Sequence, residues 1–103
     1  MGYVLTMQYE IETSEIFDKW LLKLKDRQAV IAIAKRLGRA RLGNFGDIAP
    51  VGGGVSEMRF FIGPGHRLYY VIQGGKIIVI LCGGDKSSQE KDIKKAKEMA
   101  KEA

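Results

Sequence analysis

The sequence predicts an α+β fold in which a small antiparallel sheet packs against an N-terminal helix hairpin. Two neighbouring segments near the N-terminus have apolar residues at the spacing of a helix face. Three β-rich segments then follow, separated by glycine-containing turns, and a lysine-rich amphipathic segment ends the chain. At 103 residues the chain suits one core, so we expect a single domain over residues 1–103 with the order βααβββα.

The N-terminal part predicts one strand and two helices. Residues 3–10 are rich in Val, Thr and Tyr, which favours a strand. Thr13 or Ser14 can cap the first helix, whose apolar face recurs every three or four positions: Phe17, Trp20, Leu21 and Leu24. Asp26 can cap the second helix, which we expect to end at Gly38.

The middle of the chain predicts an ordered loop and then a three-stranded antiparallel meander. The glycine-rich segment "GRARLGNFGDIAPVGGG", residues 38–54, is unsuited to an element interior. The strands follow it, at residues 55–62, 66–73 and 76–82. Gly74 and Gly75 are typical of a two-residue hairpin turn, and this turn would place Arg67 opposite Cys82.

The last predicted strand runs through "GGDKS" into the final helix. "SSQE", residues 87–90, matches a capping box for that helix. We expect free backbone N–H groups at this helix start, with Lys86 beside them, to favour an anion. The earlier glycine of a nucleotide-binding P-loop is missing, which argues against an NTPase.

Composition narrows the class of protein. The chain carries a formal charge of +5 and a pI near 9.4, which favours a polyanionic or acidic partner. Cys82 is the single cysteine, so no intrachain disulfide forms, and with the single histidine it cannot complete a zinc site. We expect no metal or cofactor. No secretion signal or membrane-length apolar run is present, so the expected location is cytoplasmic with no membrane partner.

Strand alternation places two arginines on one face of the sheet. Arg59 and Arg67 fall on the same, less buried face, opposite or diagonal to each other, and Glu57 can neutralise only part of their charge. A bound phosphate would relieve their repulsion. Tyr69 shares that face and could stack a base. His66 titrates near neutral pH and is a candidate general base, although alternation places it on the opposite, apolar face.

Three segments, "GNFGD", "PVGGGVSEMRFFIGPGHRLYYV" and "IVILCGGDKSSQEKDI", resemble the RelE/HigB superfamily of toxins, in particular its addiction-module killer branch. The resemblance runs over nearly the whole chain. It implies a RelE/ParE-like fold and the toxin of a type II toxin–antitoxin pair. Such a toxin cleaves mRNA on the ribosome without a metal and is neutralised by a cognate antitoxin, here expected to be a helix-turn-helix protein.

The same resemblance implies roles for individual residues. It places four residues at catalytic positions: Arg59, Arg67, Lys86 and His66. It assigns RNA contacts to the basic loop that contains Arg39 and Arg41, and Tyr69 joins them as the base-stacking candidate. The tyrosine that the best-known branch carries near the start of the last helix has no counterpart in "SSQEKDIKKAKEMA". Two alternatives therefore stay open: a ParE-like inhibitor of DNA gyrase, and an inactive homologue that only binds an antitoxin.

Overall fold

The computed structural model describes residues 8–103 as a five-stranded sheet with helices on both faces. The elements follow in this order: β1 (Glu10–Thr13), α1 (Glu15–Lys23), α2 (Arg27–Arg41), β2 (Ile48–Gly52), β3 (Val55–Arg59), β4 (Arg67–Gln73), β5 (Ile77–Gly84), a 3₁₀ turn (Lys86–Ser88) and α3 (Gln89–Glu102). The α+β class is confirmed. The predicted order is wrong by one strand, because β2 forms within the segment expected to be a loop. The strand expected over residues 3–10 lies mostly outside the described residues, and β1 begins where it was expected to end.

Capping side chains start both N-terminal helices as expected. The Ser14 hydroxyl accepts a hydrogen bond of 2.9 Å from the Phe17 N–H, and the Asp26 carboxylate accepts from the first N–H groups of α2. The end expected at Gly38 is wrong, since α2 continues to Arg41 and reverses at Gly43, whose φ is +90°. A single exposed glycine lowers helix stability without ending the helix.

The sheet is mixed, with the strand order β1-β5-β4-β3-β2. β1 runs parallel to β5 and pairs Glu10 with Ile77, so the meander does not account for the whole sheet. β2 lies at the opposite edge, antiparallel to β3. An edge strand has a neighbour on one side only, so it can contain Pro50, which has no N–H to donate to a second strand.

The β4–β5 hairpin has a different register from the predicted one. Gln73 pairs with Ile77, so Gly74, Gly75 and Lys76 form a three-residue connection rather than a two-residue turn. A bulge between Tyr69 and Tyr70 shifts the register once more. Arg67 consequently lies opposite Gly84, not Cys82.

Each face of the sheet has its own apolar core. The helix hairpin covers one face, where the buried side chains include Phe17, Ile33, Met58, Phe60, Leu68, Tyr70, Ile78 and Ile80. Helix α3 covers the other face, where its Ala96 is buried in a cluster with Val55, Tyr69, Leu81 and Cys82. The sequence predicted that this second face is the less buried one. Its buried cluster is the smaller of the two, and α3 covers it because the apolar stripe of that helix packs here.

Candidate functional site

Arg59 and Arg67 form a cross-strand pair at one end of the sheet, as the strand alternation predicted. Their Cα atoms face each other directly across β3 and β4, on the face that α3 covers only in part. Directly opposed like charges destabilise a sheet unless counter-charges lie between them. The groups that surround this pair therefore determine what the site can bind.

Asp47 neutralises Arg59 through a bidentate contact. Nε of Arg59 donates to Oδ2 at 3.1 Å and Nη2 donates to Oδ1 at 2.8 Å. The hydrogen bond from Arg59 lowers the pKa of Asp47, and the same contact raises the pKa of Arg59. Sequence reasoning missed Asp47, because Asp47 approaches Arg59 only when β2 joins the sheet. The glycines around β2 had led to the prediction of a loop in that segment.

Arg36, on α2, fixes the backbone around this ion pair. Its guanidinium donates three hydrogen bonds of 2.8 Å to the main-chain oxygens of Phe45, Arg59 and Asp47. A side chain at Gly46 would collide with that guanidinium, which explains the glycine there. Burial is the main cause that lowers the pKa of Arg36. Arg36 is thus a structural cation, whose donors are occupied by the fold itself.

Glu57 lies between the two guanidiniums of the cross-strand pair. Its Oε1 is 4.0 Å from Nη1 of Arg59, and its Oε2 is 4.0 Å from Nε of Arg67. Oε2 also accepts a hydrogen bond of 2.9 Å from Nε2 of Gln89, at the start of α3. The Glu57 side chain is 5% exposed. Glu57 therefore links both arginines to α3, a connection with Gln89 that sequence reasoning did not find.

Arg67 keeps hydrogen-bonding capacity that the fold does not use. Its side chain is only 11% exposed, yet neither Nε nor Nη1 has a hydrogen-bond partner among residues 8–103. Buried donors on a charged group are costly to leave unpaired. An anion that reached these atoms would remove that cost, so Arg67 is the centre of the candidate site.

Lys86 lies at the mouth of the same site. A Cβ built on Gly65 would stand 3.5 Å from Cβ of Lys86 and 3.9 Å from Nη1 of Arg67, so both cations border this turn. The Lys86 side chain is exposed. Three of the four catalytic candidates from the sequence, Arg59, Arg67 and Lys86, are thus brought together.

The backbone N–H groups before α3 are not free, contrary to the prediction. Asp85 caps the 3₁₀ turn: its Oδ1 accepts from the Ser87 N–H at 2.8 Å, and its side chain forms a capping box with Ser88. The box expected over residues 87–90 is therefore displaced by two residues. Hydrogen bonds from Ser87 lower the pKa of Asp85. A carboxylate already occupies the position expected for an anion, so the cationic side chains must provide the anion contacts.

His66 and Tyr69 are both buried away from solvent. His66 is on the helix-hairpin side of the sheet, with its ring edge-on to Trp20 at a centroid distance of 6.1 Å. Neither of its ring nitrogens has a partner within the described part of the chain. Tyr69 is 0% exposed beneath α3, and burial raises its pKa. Tyr69 shares the face of Arg59 and Arg67 as predicted, but it is covered there and its ring is not accessible for base stacking. His66 does not join the arginine cluster.

Arg39 and Arg41 lie at the far end of the sheet. They are in the last turn of α2, not in the loop that the sequence predicted. The backbone oxygen of Arg41 accepts from Tyr9, next to the start of β1, which pairs with the start of β5. Arg67 pairs with the other end of β5, so the length of that strand, about 20 Å, separates the two groups.

Between residues 8 and 103, no helix is long and apolar enough to cross a membrane. No group of three or more His, Cys, Asp or Glu side chains in the same range is arranged to hold a metal ion.

Comparison with known proteins gives similarities in sequence and in fold. The chain is 48% identical over 96 residues to an uncharacterized protein of Haemophilus influenzae, and the alignment covers 93% of this chain and 97% of that protein. A chain of the crystal structure of the intact Escherichia coli RelBE toxin–antitoxin complex has the same fold, with a TM-score of 0.57 and 17% identity. That alignment covers 75% of this chain and 95% of the other. No protein-family model matches the sequence.

Proposed function

Because the chain belongs to the same family as the Haemophilus influenzae protein and has the fold of a RelBE chain, we propose that it is a type II toxin. In this proposal it belongs to the addiction-module killer branch of the RelE/HigB superfamily and acts in the cytoplasm. It cleaves mRNA on the ribosome without a metal, and a cognate helix-turn-helix antitoxin neutralises it. The observation that carries the proposal is the buried Arg67 guanidinium, whose Nε and Nη1 have no hydrogen-bond partner among residues 8–103, beside Arg59 and Lys86.

The charges around Arg67 match a phosphodiester. Asp47 pairs with Arg59, Glu57 lies 4.0 Å from both arginines, and Asp85 caps the turn that carries Lys86. Lys86 has no ion pair among the described residues, so its charge is the one that a phosphodiester would balance. Nε and Nη1 of Arg67 are buried without a hydrogen-bond partner in the same range, and phosphate oxygens that entered the site would satisfy them.

Strand cleavage would proceed by attack of a ribose 2′-oxygen on the adjacent phosphorus. The O2′–P bond forms as the P–O5′ bond breaks, and negative charge grows on the non-bridging oxygens. The 2′-OH proton passes to water, and the departing O5′ takes a proton from water. Arg67 would stabilise that charge from a fixed position, since its surroundings already hold it in place before substrate arrives. Lys86 is exposed and would supply the second positive charge from the solvent side.

Arg39 and Arg41 would have a separate part in this proposal. Both are exposed, and their distance from Arg67 suits contacts to ribosomal RNA rather than to the scissile phosphate. Replacing both by alanine should weaken ribosome binding and reduce its salt dependence. Cleavage of ribosome-bound mRNA at saturating toxin should persist.

The test is primer extension on mRNA from cells that express the protein, with gyrase supercoiling assayed on the same samples. We expect new mRNA ends in the wild type and none in Arg67→Ala. Lys19→Ala is the matched control, since it removes an exposed cation whose only described ion pair is the surface pair with Glu15. Intact mRNA with lost supercoiling would replace the proposal by gyrase inhibition, and no effect on either would leave antitoxin binding alone.

A further inference from the structure

The ring of Phe61 is exposed to solvent, so it contributes little burial free energy to the fold. Its side chain is 81% exposed, whereas every other aromatic residue in the range 8–103 is buried or half-buried. A phenylalanine left in water forgoes about 1.5–3 kcal/mol of burial free energy. The ring is therefore available for a ligand.

The position of Phe61 ties it to the cationic cluster. The Phe60 N–H donates to His66 O at 3.0 Å, which extends the β3–β4 pairing one residue past Arg59. β3 ends at Arg59, and Phe60 is buried in the helix-hairpin core, so continued alternation past the strand end would turn Phe61 to the face of Arg59 and Arg67. Two residues of chain span at most about 7 Å between Cα atoms, so the Phe61 backbone lies within one nucleotide's length of Arg59, the cross-strand partner of Arg67.

The turn after Phe61 borders the same cluster on its other side. The Gly65 N–H closes the turn on Ile62 O at 3.2 Å, and the Lys86 N–H donates to Pro64 O at 3.4 Å. Gly65 also lies against Lys86, as described above. Phe61 is thus carried on a hairpin end fixed beside the cations, not on an isolated surface.

We propose that Phe61 is a nucleobase-binding residue, whose ring stacks on a base of single-stranded RNA next to the phosphate held by Arg67. The inference rests on the proposed function. It assigns to Phe61 the base contact that Tyr69 cannot make, because Tyr69 is buried. Bases stack on aromatic side chains beside cations that hold the backbone, and every base offers a face for this. The contact therefore favours single strands over duplex and discriminates little among the four bases.

The experiment is fluorescence anisotropy of a labelled oligoribonucleotide with 2′-O-methyl groups, which cannot be cleaved. Phe61→Ala should weaken binding by roughly 5- to 100-fold, the effect of losing one stacked base. Phe61→Tyr should restore the affinity and Phe61→Leu should not. A probe with an abasic nucleotide at the stacked position should bind the wild type and Phe61→Ala equally. The melting temperature should not change, because the side chain is exposed.

Equal affinities of the wild type and Phe61→Ala would overturn the inference. Wild-type affinity in Phe61→Leu would do the same and would point to an apolar contact with a protein partner. Arg67→Ala distinguishes a failure of the stacking role of Phe61 from a failure of the phosphate contact in the proposed function. If Arg67→Ala abolishes binding while Phe61→Ala does not weaken it, only the stacking role is lost. If Arg67→Ala binds like the wild type, the phosphate contact of the proposed function fails as well. If the wild type binds no free RNA, the stacking inference fails, and primer extension still tests cleavage on the ribosome.

Discussion

Replacing Glu57 by glutamine removes one charge and almost no volume from the centre of the site. The glutamine can still accept the hydrogen bond from Gln89, so the substitution isolates the effect of the carboxylate charge. In the wild type that charge lies 4.0 Å from a guanidinium nitrogen of Arg59 and of Arg67. Without it, the two guanidiniums face each other, and only Arg59 keeps an ion pair, with Asp47, among the described residues.

The expected loss in the free energy of unfolding depends on how deeply each ion pair of Glu57 is buried. At 4.0 Å and an effective dielectric constant of about 20, one pair contributes about 4 kcal/mol of Coulomb energy before desolvation is subtracted. The Arg59 side chain is 35% exposed, so its pair with Glu57 adds at most about 1 kcal/mol. The pair with Arg67 is buried on both sides, and breaking such a pair costs about 3–5 kcal/mol. We expect Glu57→Gln to lower the free energy of unfolding by about 3 kcal/mol and the melting temperature by about 12 °C or more.

Urea unfolding in chloride and in sulfate provides the assay. Sulfate should stabilise Glu57→Gln more than the wild type, since the anion can occupy the place of the lost charge; a concentration of 100 times Kd adds about 2.7 kcal/mol. Glu98→Gln, at an exposed position of α3, is the control. If Glu57→Gln were as stable as the control and equally insensitive to sulfate, the carboxylate would not be coupled to the arginines and the reasoning would fail.

Three shorter predictions follow from other contacts. Gly83→Ala would place a methyl group 2.6 Å from Cε3 of Trp20, so the indole must shift and unfolding in urea should require about 1–3 kcal/mol less; unchanged stability would mean that the ring yields freely. Burial raises the pKa of Cys82 to about 11, so iodoacetamide at pH 8 should react roughly 100-fold faster in urea than with the native protein, and equal rates would contradict the burial. The hydrogen bond from Arg59 lowers the pKa of Asp47, so its stabilising effect is present above its usual pKa and is lost as pH falls through the lower folded value. Urea titrations below about pH 4 should show a shallower loss of stability in Asp47→Asn, and parallel curves would refute this.

The parts of the fold set by local chemistry could be predicted from the sequence. The caps at Ser14 and Asp26 start α1 and α2 because a side-chain oxygen within three residues satisfies the free N–H groups. The pairing of Arg59 with Arg67 followed from the alternation of β3 and β4, which holds in any register that keeps the apolar faces together. Each of these depends on residues close in sequence or on one rule of strand geometry.

The parts set by distant contacts could not be predicted. Asp47 reaches Arg59 only because β2 adds to the sheet edge, and glycines with Pro50 conceal that strand. Tyr69 was assigned to the less buried face as a base-stacking candidate, because alternation separates two faces without telling where a later helix covers them. The contact of Gln89 with Glu57 spans 32 residues and depends on where α3 lies on the sheet.

The parallel pairing of β1 with β5 also sets an order of events during synthesis. Glu10 meets Ile77, so the first described strand waits for a partner that is made 67 residues later. Closing a loop of that length is slow compared with forming the helix hairpin, and it requires the C-terminal third of the chain to have left the ribosome. Lys86 and Gln89 are made later still. The cationic cluster therefore cannot form until the segment with Lys86 and Gln89 has been synthesised. Under the proposed function, the nascent chain would not be active on the ribosome that is translating it.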